Sequence, residues 1–177
     1  AASETDEAAA VQLKLLQAEN AILQKKYDDA TTLLDVLQRN YPEERRLVLL
    51  RAQVYVGQGK IQDAVSLLQR ALEQFPRSIE VATRLALLYD GQEKRSECES
   101  VITDALARVE VLRERHLLGL FLADFYASWG QEDRLYEWLA DMAGQFEPLR
   151  MHCLGNDRTQ SRVVLSGRLT SSGEHHV

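Results

Sequence analysis

Chemistry in a protein requires nucleophiles, acids, bases or metal ligands held together, so the histidines and cysteines are weighed first. Four histidines occur, His116, His152, His175 and His176, and three of them follow Pro148. His152 and Cys153 are chain neighbours that do not readily face one metal ion, and the terminal His-His pair would chelate only adventitiously. Cys98 and Cys153 lack the spacing of a zinc site or a disulfide framework. The 27 Asp and Glu residues are scattered as in any acidic surface, and no pair is marked out as acid and base. Gly57, Gly59 and Gly91 read as helix stops, while Gly130 and Gly144 add no phosphate-loop spacing. No catalytic residue, metal site or cofactor is expected, and the chain reads as a non-enzyme.

The elements that would position any other site come from the chain as a whole. At 177 residues, 45% hydrophobic and 27% charged, it is long enough for one domain with a sizeable core. No apolar run approaches the roughly 20 residues of a membrane span. The start, AASETDEAAAV, lacks the basic and apolar regions of a secretory signal, although a processed secreted or periplasmic chain would look the same. With the two unpaired cysteines, a cytoplasmic location fits best. Residues 1–149 hold 17 Lys and Arg against 25 Asp and Glu, a net of −8 within a chain total of −6, which disfavours nucleic-acid binding by the folded part.

A period of 34 residues organises the chain. Ala18 recurs as Ala52 and Ala86, Ala30 as Ala64 and then Cys98, Leu34 as Leu68 and Ile102, and Pro42 as Pro76. Tyr27 and Ile61 share a slot, as do Tyr55 and Tyr89. After a three-residue insertion between Val109 and Arg115, Ala123, Tyr126, Gly130 and Leu139 fall in the slots of Ala52, Tyr55, Gly59 and Leu68. The units run at about 11–44, 45–78, 79–112 and 116–149, behind an extension at 1–10. Each divides into two helices: in the second unit, LVLLRAQVYVGQ is stopped by Gly59, and IQDAVSLLQRALEQF restarts the apolar spacing before Pro76. A small residue lets two backbones approach, and Tyr55, Leu68 and Phe75 fill the space around it. Cys98, in such a slot, is expected to be a buried, inert thiol.

The segments AQVYVGQGKIQDAVSLLQRALEQFP and ADFYASWG resemble tetratricopeptide repeats, the resemblance covering residues 11–149. It implies an all-α, right-handed solenoid of about four helix-turn-helix repeats whose first helices line a concave groove. Groove positions are then Gln12, Leu15, Glu19, Arg46, Leu49, Gln53, Val56, Glu80, Thr83, Leu87, Asp90, Leu117, Leu120 and Asp124. Aliphatic residues there would anchor a peptide, amides would meet its backbone, and Glu19, Glu80, Asp90 and Asp124 would attract basic side chains. The competing reading makes those acids a solvated face. Family members that hold a terminal carboxylate use Lys, Arg and Asn; the matching positions here are Leu15, Glu19, Leu50, Glu80 and Arg84, of which only Arg84 is suited, so a cochaperone role is disfavoured.

The expected function is a non-catalytic scaffold that binds a protein or peptide partner. ENAILQKKYDDATTLLDVLQRNYPE followed by LLRAQVYVGQGKIQDAVSLLQRALEQF is similar to the large repeat-containing subunit of the signal recognition particle, which would imply a partner subunit and RNA, although that family's Lys-rich tail is absent. An enzyme or direct RNA binder stands far behind. Phe121, Phe125 and Trp129 share a helix face and are expected to be core rather than a docking patch. After Pro148 the helical period ends, and residues 150–177, with a charge of +2, are expected to be an irregular, flexible tail. No capping helix follows the fourth unit, which suggests association through that uncapped end or a fragment of a longer array.

Overall fold

The computed structural model describes residues 2–41 and 44–153. Among them lie eight α-helices and no strand: α1 (Ala2–Leu23), α2 (Tyr27–Asn40), α3 (Arg45–Gly57), α4 (Ile61–Gln74), α5 (Ile79–Asp90), α6 (Arg95–Arg108), α7 (Leu112–Ser128) and α8 (Glu132–Cys153). The second helices of the first three units begin 34 residues apart, at Tyr27, Ile61 and Arg95, and the fourth begins at Glu132, three residues late. The inserted residues therefore extend the start of α7, which is 17 residues long where α3 and α5 have 13 and 12, and only residues 109–111 join it to α6. There the Arg115 guanidinium donates to the carbonyls of Leu106 (3.0 Å) and Val109 (3.4 Å), satisfying acceptors that the end of α6 leaves open.

The turn inside each unit has one geometry. Lys25 N–H donates to Ile22 O and Lys26 N–H to Ala21 O; the same pair of bonds recurs at Gly59 and Lys60, at Glu93 and Lys94, and at Gly130 and Gln131. This is the Schellman arrangement, which needs one residue in the left-handed region. That residue is Lys25 (φ 60°), Gly59 (φ 76°), Glu93 (φ 60°) and Gly130 (φ 67°). Gly91 caps α5, as a helix stop should, but with an ordinary helical φ of −62°; the left-handed residue is Glu93, two residues on. Left-handed geometry costs an L-residue roughly 1–2 kcal/mol, partly offset because glycine loosens the unfolded chain. Gly59→Ala is therefore expected to cost about 1 kcal/mol and Glu93→Gly to add about 0.5 kcal/mol, both read from urea unfolding midpoints.

The chain divides into two compact units, Ala1–Leu122 and Ala123–Val177. In the first, each helix packs on the next from α1 to α6, and the first helices also meet, α1 with α3 and α3 with α5. The small slots are closed: Ala18, Ala30, Ala64, Ala86 and Cys98 are wholly buried and Ala52 nearly so. Leu15, Leu34, Leu37, Leu47, Leu50 and Val54 share one core cluster across the first repeat junction. In the second unit Phe125 and Tyr126 are buried, and Trp129 stacks on Phe125 at 5.4 Å and meets the Tyr126 edge at 6.0 Å. Phe125 is thus core, as expected from its spacing. Tyr136 on α8 is 68% exposed.

The helices extend beyond the expected unit limits at both ends. Residues 2–10 continue α1, and α8 runs on to Cys153, so residues 150–153 are helical rather than tail; Leu149, Arg150 and Met151 are strong helix formers that carry it past Pro148. The remaining tail, 154–177, lies outside the described residues. Cys98 fills the alanine slot of the third unit, and desolvation, followed by the nearby charges of Asp90 and Glu99, pushes its thiol up to about 12. A chain carrying Cys153→Ser should accordingly resist thiol alkylation at pH 8 and react only as fast as it unfolds; prompt native-state labelling would contradict the buried slot.

Candidate functional site

The groove-facing row divides into a bridged region and an open cleft. Arg46 on α3 donates to Gln12 Oε1 and to Glu19 Oε1 of α1, each at 2.7 Å. Leu15 stands between Gln12 and Glu19 on the same helical face, beneath that bridge, and is wholly buried in the core cluster. It is packing and not ligand surface, which corrects its placement in the groove set. Glu80 is paired with Arg45 at 3.2 Å. Two of the four acids expected to attract a basic ligand are therefore already neutralised by arginines of the second repeat. Both pairs are exposed enough to contribute little stability, of order 0–1 kcal/mol. The Thr83 hydroxyl donates to its own helix, to Ile79 O at 2.9 Å and Glu80 O at 3.2 Å. Asp90 ends α5 half-buried.

Leu49, Gln53, Val56 and Leu87, all expected in the groove, do come together. They line a cleft of about 250 Å³ with Ile22, Tyr27, Ala52, Gly57, Leu68, Arg84 and Leu88. Ala52 and Leu68 are buried, whereas Val56 is 39% and Leu87 45% exposed. Arg84 is exposed and the polar groups of the lining are few, so the surface is apolar with a cation and the Gln53 amide at its margin. Gly57 belongs to this wall: a Cβ there would run into the ring of Tyr27. It is the last residue of α3, and the left-handed turn that follows is made at Gly59.

Sequence reading overlooked Ile22, Tyr27, Gly57 and Leu88 as part of the cleft. Gly57 carried a usable signal, a second glycine two residues ahead of the one the turn requires. Leu117 and Leu120 are exposed on α7 at 54% and 43%, and Asp124, further along that helix, is exposed in the second compact unit. Among the described residues no group of three or more His, Cys, Asp and Glu could hold a metal ion.

The helical repeats are tetratricopeptide-like in fold. Models of the tetratricopeptide repeat match residues 12–44 and 45–88, the two repeats that build most of this cleft. Eleven chains of solved structures match. One of them, MamA (AMB-1), is 19% identical with a TM-score of 0.52 over 86% of this chain and 78% of that one. At that identity it supports the fold alone. No curated protein matches the chain. The expected similarity to the signal recognition particle subunit finds no support in these comparisons. Among the described residues no helix is long and apolar enough to cross a membrane.

Proposed function

We propose that the chain is a non-catalytic scaffold that holds a partner polypeptide in the cleft between α1, α3 and α5. The observation that carries this reading is the pair Val56 and Leu87, aliphatic side chains left exposed above a buried floor. A cleft of about 250 Å³ falls below the roughly 300–1,000 Å³ of small-molecule sites and suits an apolar side-chain anchor of a peptide. Gln53 offers an amide to the peptide backbone. With Glu19 and Glu80 held by Arg46 and Arg45, Arg84 sets the charge preference, and the better complement is an anchor with a carboxylate beside it.

Selection of random peptides on the whole chain tests this. Bound peptides should carry a large apolar residue next to Asp or Glu, and Leu87→Asp should weaken them at least tenfold, about 1.4 kcal/mol. Arg84→Glu should shift the selected motif toward Lys and Arg. Peptides indifferent to both substitutions would place binding elsewhere.

A further inference from the structure

Slots 34 residues apart allow the first two repeat junctions to be compared on a second side of the helices. At the first, Arg51 on α3 reaches Asp35 on α2 at 2.8 Å, and its side chain is only 21% exposed. The same slots at the second junction hold Leu85 on α5 and Gln69 on α4. Leu85 is buried, and the Gln69 amide donates instead to the Tyr89 hydroxyl at 2.8 Å. Over Leu85 and Tyr89 lies a cleft of about 880 Å³, walled by Arg70, Leu72 and Glu73 of α4 and by Val101 and Arg108 of α6. It shares no lining residue with the concave cleft, to which α5 contributes Arg84, Leu87 and Leu88.

The cation has thus moved from the floor to the walls. Arg51 is taken up by Asp35 at the first junction, whereas Arg70 and Arg108 stand where that junction has Val36 and Gln74. The Arg70 Nε donates to Ser66 O of its own helix at 3.3 Å, and among the described residues neither Arg70 nor Arg108 is in an ion pair. We propose that this cleft is a second binding site, for a small organic acid whose carboxylate meets Arg70 and Arg108 and whose apolar body rests on Leu72, Leu85 and Val101. The volume of about 880 Å³ lies within the roughly 300–1,000 Å³ of small-molecule sites, where a few placed polar groups orient the ligand. The planar fork of arginine matches a carboxylate. Glu73, on the same wall as Arg70, opposes a second negative charge, so the class is a monocarboxylate.

Amide NMR titration of the isotope-labelled whole chain with octanoate, phenylbutyrate and naphthylacetate tests the proposal. At least one acid should bind saturably at millimolar concentration, moving resonances of α4, α5 and α6 around Leu72, Leu85 and Val101, and the matching alcohol should bind more weakly. Arg70→Gln and Arg108→Gln should each weaken binding roughly threefold, and Glu73→Gln should tighten it roughly twofold, opposite signs that a loss of structure could not produce. Gln69→Asp together with Leu85→Arg rebuilds the ion pair of the first junction inside the cleft and should abolish binding. Far-UV circular dichroism checks the fold, and the exposed Arg70 and Arg108 variants carry the test where that pair does not fold. No saturable shift with any of the three acids would overturn the proposal. Equal affinity for acid and alcohol would do so too, as would shifts centred on Val56 and Leu87. Since the clefts share no lining residue, such a failure leaves peptide binding in the concave cleft standing, and the reverse holds as well.

Discussion

Truncating Leu34 to alanine should lower the unfolding free energy by about 3–4 kcal/mol, within the 2–5 kcal/mol usual for a large aliphatic lost from a core. Leu34 is wholly buried and shares a cluster with Leu15, Leu37, Leu47, Leu50 and Val54. Removing it costs the transfer of its own surface and leaves a void that helices on both sides of the first junction must close. The same change at Leu139, in the same slot but 40% exposed, should cost under about 1 kcal/mol. Urea unfolding of the two variants makes the comparison, with the slope checked for two-state behaviour. Equal losses at both positions would mean that the slot in α8 is as closed as the one in α2.

Gly57→Val should destabilise by about 2–3 kcal/mol, at the upper end for overpacking. Its Cβ and both methyls must enter space held by the Tyr27 ring, and the ring lies against the cleft floor. The sign should reverse once the ring is removed. In a Tyr27→Ala background, Gly57→Ala should stabilise by roughly 0.5–1 kcal/mol, because the steric conflict is gone and alanine is the better helix former. A double-mutant cycle isolates the coupling. Independence of the two changes would show that the ring turns aside at no cost. Peptide affinity should fall with Gly57→Val as well, since the displaced ring would fill the cleft beneath Val56.

The fold was readable because repetition is a signal independent of helical periodicity. Ala18, Ala52 and Ala86 fixed the phase, and the late start of α8 follows from the insertion that the sequence already displayed. The turns were only half readable. Glycine advertises a left-handed residue at Gly59 and Gly130, but Lys25 and Glu93 adopt that conformation without a glycine because the two backbone bonds around each hold them there. Gly91 ends α5 without supplying the left-handed residue. For the candidate site, Leu49, Gln53, Val56 and Leu87, groove positions implied by the repeat resemblance, line one cleft. Leu15 was misplaced because it shares a helical face with Gln12 and Glu19 yet is wholly buried in the core cluster with Leu34, Leu47 and Leu50, a tertiary contact with no local signature. The pairing of Glu19 with Arg46 and of Glu80 with Arg45 was missed on the same ground, since it cannot be inferred from composition.

In the first compact unit, each helix packs on helices one or two places along the chain. Contacts of such short sequence separation ask for little loop closure before they form, and domains built this way fold in microseconds to milliseconds. A helix pair can consolidate once the next first helix is available to cover it. During synthesis, the bonds around Leu34 can therefore form as soon as α3 leaves the ribosome, well before the residues of α8 have been added.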